Sequence, residues 1–473
     1  MSAPVMHTTA MVAAAAIAEK EPSVAPANGA PTRGLPTHPS STHSLRLQAL
    51  HFTAAIAYLI AGGVGLVWVA PDIAMGAFAA PRVAGITHLF TLGWLTMTIF
   101  GALYQLLPVA LGAPIRSRAV AHASFWTFAP GVAFFAAGVA TGGGALQHMG
   151  IALVSTGVLL AVGNFAATLA GKPADTRDVT WAGMALATAF LASTLVLGIV
   201  LLHNLHTGFI AAARVRVLAM HLHVAAVGWV LMMIVGVSHR LLPMFLLAHG
   251  ANTRWTRHAL ALLTTGVLSL TAGLYTQLAA VTWLGAVLMM GGVGCYIRQV
   301  YAFHRVRIRK RLDPGMRFVA VALGFLVAGA LTGPFALATG VAHPRVATAY
   351  VLLGLLGGLV LYVIGFFYKI VPLLAWTHRY GGRSGRGDEK LPTVADMFSP
   401  RVALVQLVLM AAGVLLLLGG IVVSSLAALG VVVDAGTAAT VSAHVARCGA
   451  VLFLVGSLLF AGQITRVVFG GTA

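Results

Sequence analysis

Long apolar stretches separated by short polar segments run along almost the whole chain. Each stretch is about 18 residues or longer, which is enough for a helix to cross the hydrocarbon core of a bilayer. The pattern predicts an all-α, polytopic membrane protein with about twelve transmembrane helices. We place these helices near residues 48–70, 86–110, 119–140, 146–171, 180–203, 217–246, 257–275, 278–299, 316–340, 346–376, 401–425 and 438–465.

The composition excludes a soluble fold. Of the 473 residues, 59% are hydrophobic and only 8% are charged, whereas soluble domains carry about 25% charged residues. Residues 48–473 are therefore expected to form a single transmembrane domain. Residues 1–47 are rich in Ala, Pro, Ser and Thr, and we interpret them as a disordered cytoplasmic tail.

The basic residues are concentrated on one side of the predicted domain. Of 29 Lys and Arg, all but five lie on the side of the N-terminal tail. By the positive-inside rule both termini are cytoplasmic, which suits a protein of the bacterial inner (plasma) membrane. The net charge of +19 is then explained by topology and by contact with lipid, and it does not indicate nucleic acid as a partner. The five basic residues on the outer side are Arg82, Arg214, Arg216, Arg345 and Arg447.

Three of the predicted helices share one motif. Residues 88–108, 223–243 and 352–372 match without gaps, with Gly, aromatic or His, and Pro residues at the same places in each copy. Such internal repetition indicates a repeated structural unit. We predict three four-helix pseudo-repeats, with the second, sixth and tenth helices around a common centre. The repeats cover about 48–171, 180–299 and 316–469.

The predicted spans contain several histidines but no Asp or Glu. All ten Asp and Glu lie in tails or loops, which disfavours an ion pathway built on buried acids. Imidazole is a good ligand for iron, copper or zinc, so the spans are candidates for a metal or cofactor site. The histidines in the outer part of the spans are His88, His148, His203, His221, His223 and His444.

Two of these histidines leave one helix in different directions. His221 and His223 are separated by a single residue on the sixth helix, so their side chains point about 160° apart. His88 shares a helical face with Thr91 and Gln105, and this polar stripe is expected to face protein rather than lipid. The two histidines of the sixth helix therefore serve two different neighbours.

The His motifs carry a resemblance to a known superfamily. His88 followed by Tyr104, Gln105 and Pro108 resembles the second helix of haem–copper oxidase and nitric-oxide reductase large subunits, and His221-Leu-His223 is similar to their tenth helix. The resemblance implies that His88 and His223 are the axial ligands of a low-spin haem b, and that His221 binds a second haem.

The same resemblance implies a function. It indicates a membrane oxidoreductase that handles electrons or a diatomic gas, nitric oxide or oxygen. Electrons would come from a quinol or from a separate electron-transfer protein, because no soluble redox domain is fused to the chain.

The chain departs from the superfamily at its copper site. No adjacent pair of histidines occurs in the sequence, and the His-x-His motif lies on the sixth helix instead of the tenth. The resemblance therefore allows copper as a second cofactor, although the chain lacks the histidines that bind copper in the superfamily. The NnrS family of haem- and copper-containing proteins, linked to nitric-oxide tolerance, is a second resemblance. A permease without haem is the remaining alternative.

Several outer residues have two interpretations. Arginines can bind haem propionates bidentately or extend to lipid headgroups. His444 is either a metal ligand or a structural histidine, and His239 matches Tyr104 of the first repeat, which favours an interfacial role over ligation. The arginine candidates for the propionates are Arg82, Arg216, Arg345 and Arg447.

Overall fold

The computed structural model describes residues 41–470, apart from 113, 211–212, 249, 251, 309, 382–390 and 432–433. It is 88% helical, and the described residues form no strand. Residues 1–40 of the predicted tail lie outside the described residues. The helix that contains the first membrane span begins at Ser41, before the span itself. The last part of the predicted tail therefore belongs to the helical domain.

Twelve helices of the described chain are long and apolar enough to span a membrane, as predicted. They are α1 (Leu45–Ala74), α2 (Pro81–Pro108), α3 (Arg118–Thr141), α4 (Gly144–Ala170), α5 (Val179–Thr207), α6 (Arg214–Leu246), α7 (Arg254–Thr276), α8 (Ala279–Arg305), α9 (Pro314–Thr339), α10 (Pro344–Tyr380), α11 (Pro400–Ala428) and α12 (Gly436–Phe469). An even number of crossings places the start of α1 and the end of α12 on the same side of the bilayer.

A π-helical segment interrupts each of the three specialised helices at the same place. The segments are Leu89–Thr96 in α2, Val224–Leu231 in α6 and Leu353–Val360 in α10. Each one begins directly after the first residue of its motif copy, which is His88, His223 or Leu352. π-Helices are rare and occur often at functional sites. In α2 and α6 the backbone irregularity therefore lies beside a candidate ligand.

Helix ends outside the motif follow the same repeat. The ends of α4 and α8 match each other in the register that aligns the first two motif copies. Asp178 caps α5 and Asp313 caps α9, each accepting from a backbone N–H of the first turn, which is a favourable N-cap arrangement. The repeat therefore extends beyond the motif helices to their neighbours.

The helices α2, α6 and α10 meet at the centre of the bundle. Trp229 of α6 donates from Nε1 to Thr96 Oγ1 of α2 at 3.0 Å. The Trp94 ring of α2 stacks on Phe367 of α10, with ring centroids 5.3 Å apart. A cavity with almost entirely apolar walls lies between the three helices. Such walls offer few groups for a polar solute.

Polar pairs tie these helices to the first helix of their repeats on the side where α2 ends. Arg240 lies 2.8 Å from the Asp178 carboxylate, and Lys369 lies 2.7 Å from the Asp313 carboxylate. The matching position in the first repeat is Gln105, which accepts from Gln48 at 3.1 Å. Each specialised helix is thus anchored by a side chain at one repeated position.

Candidate functional site

His88 is held by its own helix. It lies at the end of the α-helical turns that precede the π segment of α2, and it is half-buried. Its Nδ1 is 2.7 Å from the Ala84 carbonyl, so the Nδ1–H donates to that oxygen and Nε2 remains free to bind a ligand. The ring of Phe135 packs against it edge to face, with centroids 5.0 Å apart.

His221 of α6 lies over a glycine of α5. A Cβ on Gly198 would be 3.3 Å from the His221 Cε1, so any larger residue would press on the imidazole ring. The Nδ1 of His221 is buried, and it has no hydrogen bond of ordinary geometry among the described residues, although it faces the Thr194 carbonyl. His221 is therefore positioned by packing more than by hydrogen bonding.

The structure brings His88 and His221 together. Their ring centroids are 6.4 Å apart, and the ring planes make an angle of 38°. Two imidazoles that bind one metal ion from opposite sides, each through a nitrogen about 2 Å away, have centroids roughly 6 to 6.5 Å apart. The centroid distance between His88 and His221 lies in this range.

A partly open cavity adjoins this pair, and both histidines line it. Four helices, α2, α3, α5 and α6, form its walls, and most of the wall is apolar. The lining residues are Phe78, Ala79, Pro81, Ala84, His88, Phe135, Val139, Gly198, Leu201, Leu202, Leu205, Arg214, Leu218 and His221.

Arg214 is the arginine that lines the cavity. It is exposed, and its Nη2 is 3.4 Å from the Ala79 carbonyl. A guanidinium at the mouth of an apolar cavity suits a carboxylate of a bound cofactor. Sequence reasoning recognised Arg214 as an outer residue but did not assign it to the propionates. Its position on the outer side, shortly before the His-x-His motif, was the available signal.

The four arginines proposed from the sequence do not line the cavity. Arg82 forms an ion pair with Asp72 at 2.7 Å. Arg345 donates from Nε to Ser424 Oγ at 3.0 Å. Arg216 is half-buried and Arg447 is exposed. Their assignment to propionates stays a prediction without support from this geometry.

His223 has a different partner from the one predicted. Its Nδ1 is 2.8 Å from the Ala219 carbonyl, and its Nε2 is 3.0 Å from the Tyr350 hydroxyl of α10. The two rings stack, with centroids 5.7 Å apart. Both nitrogens of His223 are therefore occupied. His221 faces His88 of α2 while His223 faces Tyr350 of α10, and the expected contact between His88 and His223 is not formed.

The other outer histidines do not assemble a metal centre. The described residues contain no group of three or more His, Cys, Asp or Glu side chains that could hold a metal ion. His444 is exposed and bonds through Nδ1 to the Thr440 carbonyl at 2.7 Å. His148 and His206 stack with centroids 5.0 Å apart, and His203 is exposed. The copper prediction thus gains no ligand set from this part of the chain.

One buried histidine was missed by sequence reasoning. His51 of α1 is fully buried, its Nδ1 is 2.8 Å from the Leu47 carbonyl, and its Nε2 has no hydrogen-bond partner among the described residues. The rings of Tyr104 and Phe125 surround it. The signal was its place within a predicted span, where an ionisable residue is a functional candidate. It does not line the cavity of His88.

Comparison with known proteins supports the fold. No protein-family model matches the chain, and no curated protein matches its sequence. A solved heme-copper terminal oxidase, determined by cryo-EM as a dimer, is similar in structure with a TM-score of 0.57 and 13% sequence identity. The match covers 90% of this chain and 85% of that one. The chain therefore shares the overall fold of that structure.

Proposed function

We propose that this chain is a haem-binding integral membrane protein in which His88 and His221 are the two axial ligands of one haem b. The observation that carries the proposal is the 6.4 Å spacing of the two rings beside a mostly apolar cavity that both histidines line. The free Nε2 of His88 and the room that Gly198 leaves beneath His221 support it. Both histidines come from the superfamily motif, although they pair differently.

Each residue of the site has a defined task. The Ala84 carbonyl fixes the His88 tautomer so that Nε2 faces the cavity, as outer-sphere partners of metal-bound histidines do. Arg214 supplies a positive charge for an anionic edge of the cofactor, and the apolar wall excludes water. A haem held there supplies one-electron chemistry. Because both histidines would hold the haem, the site would be best suited to electron transfer.

The location of the site constrains its partners. His88 and His221 lie near the ends of α2 and α6 that face away from both termini. We propose that this side is the outer face of a bacterial inner membrane and that a quinol or a separate redox protein exchanges electrons there. A cytoplasmic position of the termini follows from the positive-inside rule.

The first prediction is spectroscopic. Protein purified from haem-replete cells should contain one haem b per chain and show the sharp α-band of a low-spin haem after reduction. The measurement is a pyridine haemochrome assay together with reduced-minus-oxidised spectra. A colourless preparation would contradict the proposal and would favour a permease without haem.

Gas handling is a second candidate function, because the two axial ligands are held unequally. The His88 Nδ1 has a 2.7 Å bond to its own helix, whereas the His221 Nδ1 has no hydrogen bond of ordinary geometry among the described residues. A ligand without such support is the one more easily displaced. Displacement of His221 would open a position for a diatomic gas, as nitric-oxide tolerance in an NnrS-like protein would require.

The second prediction tests this inequality. Carbon monoxide added to the reduced protein should shift the Soret band slowly and partially, because it must displace His221. The haem that the variant His221→Gly retains should bind carbon monoxide fully and faster than in the unmodified protein, because no second histidine has to be displaced. An unchanged spectrum in both proteins would exclude gas binding and leave electron transfer as the function.

A further inference from the structure

The interface between α6 and α10 repeats the one between α2 and α6. His223 follows His88 by the same interval that separates the first two motif copies, and Tyr350 follows His221 by the interval that separates the second and third copies. In both interfaces an imidazole of one motif helix faces an aromatic or imidazole ring of the next. The second interface therefore has the layout of the first, with tyrosine in place of one histidine.

The supporting glycines repeat as well. Gly333 of α9 follows Gly198 of α5 by the same interval as His223 follows His88. A Cβ on Gly333 would be 3.3 Å from the Tyr350 Cε2, and a Cβ on Gly198 would be 3.3 Å from the His221 Cε1. The glycine thus makes room for the ring of the following motif helix at both interfaces. The repeat therefore includes the glycine beneath one ring as well as the two facing side chains.

The second interface differs from the first in its spacing. The His223 Nε2 and the Tyr350 hydroxyl are 3.0 Å apart and hydrogen-bonded. Two donor atoms on opposite sides of one iron are about 4 Å apart, so no iron fits between them. The Tyr350 hydroxyl therefore blocks the nitrogen through which His223 would bind iron.

Some positions around Tyr350 carry smaller side chains than the first interface, and others carry larger ones, such as Leu274 at the position of Val139 and Arg216 at that of Pro81. In the register of the repeat, Leu201 and Leu205 of the first interface correspond to Ala336 and Gly340. Leu218 corresponds to Ala347 in the same way. Each replacement is smaller than the cavity residue that it matches. Tyr350 is therefore one of several larger groups at this interface.

The third interface completes the series. Leu352 of α10 matches His88 and His223, and Ile86 of α2 matches His221 and Tyr350. Neither residue can bind iron, so this interface lacks ligands altogether. The three interfaces thus carry two, one and no histidines at the same pair of positions.

We infer that Tyr350 limits the chain to one haem by closing a second site of the same design. The inference rests on the proposed function, since it takes the His88–His221 pair as the open version of the site. Tyr350 is in this sense a specificity-determining residue. Its hydroxyl is hydrogen-bonded to the His223 Nε2, and its ring fills space at the interface.

The third prediction is a gain of cofactor. Tyr350→His restores the histidine pair at the second interface and should raise the haem content from one to two per chain. The measurement is a pyridine haemochrome count per polypeptide, with electron paramagnetic resonance of the oxidised protein to detect a second bis-histidine signal. Tyr350→Phe, which keeps the ring and offers no ligand, should remain at one.

A double variant provides the matched control. Tyr350→His combined with His223→Ala should return to one haem, because the new histidine then lacks its opposite ligand. The first haem reports that each variant is folded. A count of one in Tyr350→His, with the first haem intact, would overturn the inference, as would two haems in the unmodified protein. Zero haem in the unmodified protein would instead contradict the proposed function.

Discussion

His88→Ala and His221→Ala should each abolish the low-spin haem spectrum of the purified protein. Either substitution leaves one axial position empty, and the 6.4 Å spacing indicates that the two rings act as a pair. Loss of an outer-sphere partner alone costs about 10- to 100-fold in affinity, so loss of an axial ligand should cost at least that much. Haem per chain and the reduced α-band are the measurements.

His223→Ala is the matched control for this experiment. It removes a neighbouring histidine from the same helix, but one whose nitrogens are bonded to Ala219 and Tyr350. The haem content and the α-band should be unchanged. If His223→Ala abolished the spectrum and His221→Ala spared it, the pairing expected from the sequence would be restored and the pairing proposed from the structure would be wrong.

Gly198→Leu should also empty the site without touching a ligand. A Cβ at this position already lies 3.3 Å from His221, and a leucine would push the imidazole out of line with His88. Overpacking a tight site costs about 1 to 3 kcal/mol, which corresponds to about 5- to 150-fold in affinity. Haem titration of the apoprotein measures the change.

The chain offers two controls for this substitution. Gly333→Leu introduces the same side chain at the repeat-related position, where a Cβ would be 3.3 Å from Tyr350, and it should leave haem affinity unchanged. Gly163→Leu, at a position of α4 where nothing lies within 4 Å of an added Cβ, tests the general effect of a leucine in a span. Equal losses of haem in Gly198→Leu and Gly333→Leu would show that the effect is not specific to His221.

The twelve spans, the repeat and three candidate histidines were predictable from the sequence. Twelve spans follow from apolar length, which is a local property of the chain because each helix satisfies its own backbone hydrogen bonds in lipid. The repeat was visible because residues 88–108, 223–243 and 352–372 keep one internal spacing. His88, His221 and His223 were recognisable as candidates because an ionisable side chain within a span is energetically unfavourable and usually has a functional role.

Only the tertiary structure decided which histidines form a pair. His221 and His223 lie on nearly opposite faces of α6, and a helical pattern shows that they diverge but not which neighbour each one meets. The order of the helices around the centre sets His221 against α2 and His223 against α10. Likewise, Tyr350 and Arg214 became visible as site residues only when α10 and the start of α6 were in place, because contacts between distant segments depend on packing of the whole bundle and not on local periodicity.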